Sequence, residues 1–209
     1  MNIKVLSAAL GLALTAGAMS AHAQKTITEG LATFSTEIQG QPADVIDYFK
    51  VDSAAQVITF GAGNVKVLTT AKHDYLAVLL DIPVAGLKKA GIATPAELEE
   101  GMAALPTFTF TPTTDTKVIS GFNCKRVVAK DSKSAKTYDV WVTNDVVVPP
   151  TAVPFYYQAI GGMPVQFTAF QQGQETSITI KTITAGKAPA GTYAVAGDFE
   201  KVGMSDLHP

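Results

Sequence analysis

The single cysteine, Cys124, is the residue of this sequence best suited to covalent chemistry. It directly precedes Lys125 and Arg126, and neighbouring positive charge favours the reactive thiolate form. An odd cysteine in an exported protein can also bond to a second chain. However, no histidine or asparagine motif accompanies Cys124, as a catalytic nucleophile would require. The sequence favours a small buried residue at the start of a strand, with a reactive thiol as the alternative.

Histidine and carboxylate residues indicate no second reactive site. His73 and Asp74 are adjacent, and adjacent residues of a strand point to opposite faces. Asp44 and Asp47 fit a solvated strand edge better than a metal site. No Gly-x-Ser-x-Gly elbow, His-Glu-x-x-His motif or calcium loop occurs. We therefore predict a protein that is not an enzyme, with no catalytic residue, no metal site and no cofactor.

The first residues of the chain predict export. Lys4 precedes an uncharged apolar run, Val5–Met19, and Ala21-His22-Ala23 is a small-x-small cleavage site ahead of Gln24. The run is shorter than the ~20 residues that span a bilayer, and no second run of that length follows. We predict a signal peptide at residues 1–23 and a periplasmic or secreted product without a transmembrane segment.

Composition limits the partners of the exported chain. The formal net charge is −2 and the charged residues are scattered, so nothing points to nucleic acid. Residues 24–209 are long enough for one domain with its own core. We predict one β-rich domain there, with a C-terminal tail from about residue 194 that is frayed.

Apolar residues recur with period two over most of the chain, in runs rich in Val, Ile, Thr and Phe. This pattern predicts a mainly β fold made of sequential antiparallel strands. Tyr75–Leu80 is apolar on both faces, which is typical of a strand covered on both sides. We predict a single, strongly curved antiparallel sheet, shaped like a half-barrel, with short covering helices.

The covering helices are predicted within Val84–Leu105. Thr94-Pro95-Ala96-Glu97 is a capping box with proline at the first helical position, and Pro106 ends the helix. Leu98, Met102 and Leu105 fall on one face at positions i, i+4 and i+7. We expect a shorter helical turn at Val84–Ala90 to precede this helix.

Aromatic residues form the other notable apolar groups. Three prolines and two glycines interrupt the strand pattern within Pro149–Gly162, which also carries Phe155-Tyr156-Tyr157. The triplet either caps the core, which we favour, or contacts a ligand. Phe108 and Phe110 share one face of a strand. Trp141, near the end of another strand, is predicted to lie in the core.

Three short motifs resemble a known group when taken in order. Gly121-Phe122-Asn123-Cys124-Lys125-Arg126 opens a strand, Val140-Trp141-Val142-Thr143 closes the next, and Gly162-Met163-Pro164 starts another. This succession resembles uncharacterised bacterial secreted domains related to the GLPGLI family. The family's closing Pro-x-Gly-Tyr is present only as Pro189-Ala190-Gly191-Thr192-Tyr193, with an extra threonine. The resemblance implies a curved antiparallel sheet like that of periplasmic lipoprotein carriers, and implies no catalytic residues.

Two functions remain open from the sequence. The first is a carrier that binds a lipid, an acyl chain or a lipoprotein segment in the cleft of the curved sheet. The second is a module with a filled core that binds another envelope protein. An apolar cavity of hundreds of Å³ would favour the carrier, and a filled interior with an exposed apolar patch would favour the module. The predicted ligand-binding residues are Leu98, Met102, Leu105, Phe108, Phe110, Phe155, Tyr156 and Tyr157.

Overall fold

The computed structural model describes residues 24–38, 41–171 and 173–207. The predicted signal peptide, with Ala23 at its cleavage site, lies outside the described residues. Fifteen strands occur in the described part, numbered here along the chain. The large sheet contains β2 (Glu29–Ile38), β3 (Gln41–Lys50), β4 (Ser53–Phe60), β5 (Gly63–Thr70), β6 (Leu76–Ile82), β7 (Leu87–Ile92), β14 (Thr182–Ala185) and β15 (Glu200–Gly203).

The remaining elements form a second sheet, a short ribbon and the helices. The small sheet contains β8 (Phe108–Ile119), β9 (Phe122–Asp131), β10 (Thr137–Thr143), β12 (Met163–Gln171) and β13 (Gln174–Thr179). The ribbon pairs β1 (Lys25–Thr26) with β11 (Val146–Val147) in parallel. The α-helix is α1 (Pro95–Ala104), and the 3-10 turns are Pro83–Ala85, Pro150–Ala152, Phe155–Ile160 and Met204–Asp206.

Strand pairing confirms a mainly β fold built from antiparallel sheets. The large sheet has the order β14-β2-β3-β4-β5-β6-β7-β15, and the small sheet has the order β13-β12-β10-β9-β8. Strands β2 to β7 form an antiparallel meander, whereas β15 pairs with β7 in parallel. The strands therefore divide between two sheets and a two-stranded ribbon instead of forming one sheet, and the curvature of a half-barrel is not confirmed. The period-two pattern is the same in either sheet, so it could not show where one sheet ends.

The main core lies between the two sheets. Phe34, Val45 and Phe49 of the large sheet belong to the same buried cluster as Val140 and Val165 of the small sheet. One side of this sandwich is closed by the chain itself, because it continues from β13 directly into β14. The Ile180 amide donates to the Val165 carbonyl, and the next amide, of Lys181, donates to the Thr33 carbonyl.

A second, smaller core covers the opposite face of the large sheet. Leu68, Ala77 and Leu79 are buried there, with Tyr193 and Phe199 of the C-terminal segment packed against this cluster. The tail beyond residue 194 was expected to be frayed. Instead it crosses this face, forms β15 beside β7 and is described as far as Leu207. The cover over one face of β6 is therefore the C-terminal segment and not a helix.

The structure confirms one predicted helix and corrects another. Helix α1 begins with the predicted capping box: the Glu97 amide donates to Thr94 Oγ1, and the Thr94 amide donates to Glu97 Oε2. The helical turn expected at Val84–Ala90 is limited to the 3-10 turn Pro83–Ala85. Strand β7 follows, because Leu87–Ile92 pairs with β6 on one side and with β15 on the other.

Candidate functional site

Four of the predicted ligand-binding residues come together in an aromatic cluster. Phe108 and Tyr157 are stacked, with ring centroids 5.3 Å apart and planes 5° apart. Tyr156 lies edge-on to Tyr157 at 4.8 Å, and Phe110 is 6.4 Å from Tyr157. The cluster also includes Tyr138, Phe167 and Phe170, which the sequence analysis did not select. In the sequence, the period-two alternation of Val165, Phe167 and Ala169 could have indicated that the Phe167 ring faces the core.

This cluster caps the core. Tyr157 is fully buried, and its hydroxyl donates to the Thr168 carbonyl over 2.9 Å. The Tyr156 hydroxyl accepts from the Phe170 amide. Burial raises the pKa of both phenols above the usual range for tyrosine. Thr151, in the same segment, donates to the Lys50 carbonyl of the large sheet. The segment Pro149–Gly162 is therefore bonded to both sheets, which accords with the core-capping interpretation of its aromatic triplet.

The other predicted ligand-binding residues do not join this cluster. Leu98, Met102 and Leu105 are half-buried, and no residue of α1 is buried. Phe155 is 45% exposed and lies edge-on to His73, with centroids 4.7 Å apart. The eight predicted residues thus do not line one common cleft in the described part of the chain.

The large sheet has more strands than the small sheet that packs on it, and this leaves an aliphatic surface outside both cores. In the register of β5 and β6, Val67 is opposite Val78, and Val65 is opposite Leu80. These residues share the face that carries Ile58, which belongs to the main core. We define the overhang face as five half-buried residues on this face of β5 and β6 that belong to neither core cluster in the described part: Val67, Leu76, Val78, Leu80 and Ile82.

The C-terminal turn forms one border of the overhang face. Gly91 of β7 is opposite Val78. A Cβ atom at Gly91 would lie 3.0 Å from Leu207 Cδ2 and 3.1 Å from Met204 Sδ, so the turn rests directly on the backbone there. Sequence analysis missed the overhang face, although the doubly apolar run Tyr75–Leu80 was its signal. That run predicted two covered faces, whereas only the face of Ala77 and Leu79 is fully buried.

The residues that the sequence analysis considered for catalysis are buried, packed against an aromatic ring or hydrogen-bonded to other side chains. Cys124 is 1% exposed, and burial raises the pKa of its thiol to about 11, which disfavours the thiolate. The His73 ring packs against Phe155, and burial lowers its pKa. The Asp74 carboxylate accepts from the Thr70 hydroxyl. In the part of the chain that the structure describes, no group of His, Cys, Asp and Glu side chains could hold a metal ion.

Asp44 and Asp47 were both predicted to lie at a solvated strand edge, and only Asp44 does. Asp44 is exposed and accepts a hydrogen bond from the Ser35 hydroxyl, as expected at a solvated edge. Asp47 lies on the face that carries Val45 and Phe49, directly opposite Gln56. Burial raises the pKa of the Asp47 carboxyl to about 6, and a hydrogen bond with Gln56 opposes the rise. The two carboxylates therefore occupy opposite faces of β3.

Trp141, which was predicted to lie in the core, is half-buried. It packs against the edge of the main core, and Lys117 Nζ lies 4.1 Å from its ring centroid. The same ammonium donates to Gln166 Oε1. Val140 and Val142 point to the other face of β10, and both are buried. The strand therefore places its tryptophan on the face that is less completely covered.

Two depressions occur in the described surface, and neither is lined by any of the predicted ligand-binding residues. One, of about 290 Å³, has a mostly apolar lining that includes Val146, Val153 and Met163, together with the polar residues Gln24 and Asn144. The other, of about 630 Å³, is lined by polar residues of β2 and β13 such as Thr36 and Glu175. The first depression is open to solvent and the second is lined mainly by polar residues, so neither encloses a ligand as an acyl-chain cavity would.

Comparison with known proteins identifies no family for the chain. No family model matches it, and no curated protein matches it. Solved structures of PNGF-II in space groups C2 and P21 are each 14% identical to it, with a TM-score of 0.46. They cover 84% and 85% of this chain, but this chain spans only 30% and 32% of theirs. A likeness this weak says nothing about binding or activity, and the resemblance to GLPGLI-related domains stays a prediction.

Proposed function

We propose that the protein is an exported, non-catalytic interaction module that binds an apolar segment of another envelope protein on the overhang face. The observation that carries this proposal is the group of aliphatic side chains on β5 and β6 that joins neither core. Contiguous apolar surface of this kind marks interaction sites in soluble proteins, because leaving it in water is costly.

The filled interior favours a protein partner over an acyl chain. Tyr157 and the aromatic cluster occupy the space between the sheets that a carrier would keep open. A lipid carrier encloses most of its ligand in a cavity, whereas one face of a sheet leaves an acyl chain exposed on its other side. A protein segment can cover such a face and supply a polar rim of its own.

The separation of the chemical groups supports a non-catalytic role. Cys124 is buried as a thiol, His73 packs against Phe155, and Asp74 is hydrogen-bonded to Thr70. A nucleophile and its base must lie within hydrogen-bond reach of each other, and these groups do not form such a pair.

The start of the fold supports export. Lys25 and Thr26 form β1 directly after the predicted cleavage site, and Ile27 is 2% exposed in the main core. Cleavage before Gln24 would therefore leave the folded domain intact. No helix in the described ranges is long and apolar enough to cross a membrane.

Site-specific photo-crosslinking tests the proposal in the cells that make the protein. A photoreactive amino acid replaces Leu80 on the overhang face or, as the matched control, Val118, which is 68% exposed on the small sheet. We expect a discrete protein adduct from position 80 and none from position 118. Adding Val78→Lys should remove the adduct, because a charge on the face opposes apolar docking.

Reconstitution completes the test. The adducted protein, once identified and purified, should bind the wild type and should lose at least tenfold in affinity for Val78→Lys. Val118→Lys serves as the charge-matched control and should bind normally. Equal adducts from both positions, or none from position 80, would refute the proposal. Saturable binding of a fluorescent fatty acid that Val78→Lys abolishes would instead support the carrier.

A further inference from the structure

Helix α1 is held almost entirely at its ends. Its N-terminus has the capping box of Thr94 and Glu97, while Leu98, Met102 and Leu105 remain half-buried and belong to neither core cluster in the described part. Helices in globular proteins draw most of their stability from packing of an apolar face. A helix with no buried residue therefore belongs to the least stable part of a fold and can open locally.

The C-terminal end of α1 is held by one lysine of the small sheet. Lys133 Nζ lies 2.6 Å from the Ala103 carbonyl oxygen and 2.6 Å from the Leu105 carbonyl oxygen. The last carbonyls of a helix have no partner within the helix, and a positive charge there is favoured by the helix dipole. One ammonium thus satisfies two carbonyls and supplies the favoured charge.

The turn that carries Lys133 is well organised by Asp131. This buried carboxylate accepts hydrogen bonds from the amides of Lys133 and Ser134 and from the Ser134 hydroxyl. It also accepts from the Thr107 amide, just after α1. These donors, the Ser134 hydroxyl above all, lower the pKa of Asp131 to about 2. Lys133 is therefore presented to α1 from a rigid position on the β9–β10 turn.

The two ends of α1 lie on different sheets. At its start, the Ala93 amide donates to the carbonyl of Leu76, the first residue of β6 and a member of the overhang face. At its end, α1 reaches the β9–β10 turn of the small sheet through Lys133. The helix therefore bridges the two sheets beside the strands that carry the overhang face.

We propose that α1 is a lid over the overhang face and that Lys133 is the latch that keeps it closed. Release of Lys133 from the Ala103 and Leu105 carbonyls frees the C-terminal end of α1, which then swings about Ala93. The aliphatic residues of α1 and of the overhang face become available together. This inference rests on the proposed function, because it describes how access to the same docking face is controlled.

Hydrogen exchange measured by mass spectrometry tests the latch without any partner. Lys133→Met removes the ammonium, and Lys130→Met, an exposed lysine of the same hairpin, is the matched control. We expect amide exchange in Pro95–Ala104 to rise on the order of tenfold in Lys133→Met, as for a locally opened helix. Exchange in the core strands should stay unchanged. Equal α1 exchange in both variants would overturn the latch.

The fluorescent probe 1-anilinonaphthalene-8-sulfonate tests the lid. Lys133→Met should bind more of this apolar probe than wild type, and the added substitution Val78→Lys should remove the increase. Faster α1 exchange without any increase in probe binding would show that α1 does not cover the overhang face, and would overturn the lid. Neither measurement depends on a partner, so failure of the position-80 crosslink is distinguishable from failure of the lid.

Discussion

Removing the Tyr157 side chain should destabilise the fold far more than removing Phe155, two positions earlier. Tyr157 is 0% exposed, stacks on Phe108 and donates to the Thr168 carbonyl over 2.9 Å. Phe155 is 45% exposed and has one aromatic neighbour, His73. Both residues belong to the same 3-10 turn, so they differ in burial and not in local backbone.

The magnitudes follow from what each truncation removes. Tyr157→Ala leaves a cavity between the sheets and should lower the free energy of unfolding by about 3–5 kcal/mol, as for other buried aromatic residues. Tyr157→Phe keeps the ring but leaves the Thr168 carbonyl without its donor, which should cost about 1–2 kcal/mol. Phe155→Ala should cost less than about 1 kcal/mol, because a half-exposed ring loses little buried area.

Urea unfolding followed by far-UV circular dichroism and by the fluorescence of Trp141 gives these free energies. Coincident transitions from the two probes would justify a two-state treatment. If Tyr157→Ala costs less than about 1 kcal/mol, or no more than Phe155→Ala, the aromatic segment does not cap the core. The argument that the interior is filled would then fail, and a ligand-binding cleft would become the better interpretation.

Three further predictions concern single residues. Folding raises the pKa of Asp47 to about 6 from the usual value, so the free energy of unfolding should fall as pH rises from about 4 to about 6. Asp47→Asn should therefore raise the urea midpoint at pH 7.5 and leave it nearly unchanged at pH 4. Equal effects of the substitution at the two pH values would contradict this prediction. Gly162→Ala places a Cβ 2.6 Å from Val142 Cγ1 and should cost about 1–3 kcal/mol in urea unfolding, whereas Gly197→Ala, with open space around it, should be neutral. Iodoacetamide should label the buried Cys124 thiol only as fast as the protein unfolds, and labelling at the rate of a free thiol would place Cys124 at the surface.

The local features of this fold were readable from the sequence because their causes are local. Alternation of apolar and polar residues determines which faces of a strand are buried, so the mainly β, antiparallel character could be predicted. Thr94 and Glu97 lie three positions apart, and a capping box depends only on that spacing, so the start of α1 was correct to the residue. Signals of this kind need no knowledge of the rest of the chain.

The segments that pack on the two faces of the large sheet could not be predicted from local sequence patterns. Tyr75–Leu80 has apolar residues on both faces. This pattern predicted that both faces of the strand are covered, but it did not indicate which segments of the chain cover them. The tertiary structure buries Ala77 and Leu79 under the C-terminal segment, more than one hundred positions along the chain. It leaves Leu76, Val78 and Leu80 half-buried, because the small sheet covers only part of the large one.

Sequence by itself determined the secondary structure class, the helix cap and the absence of recognisable catalytic motifs. Tertiary structure decided the division into two sheets, the position of the aromatic segment between them and the aliphatic face left outside both cores. The physical reason is that period-two alternation specifies which face of a strand is buried, but not which strand pairs with it. Partners such as Thr33 and Thr182, or β7 and β15, are chosen by burial and hydrogen bonding summed over the whole chain.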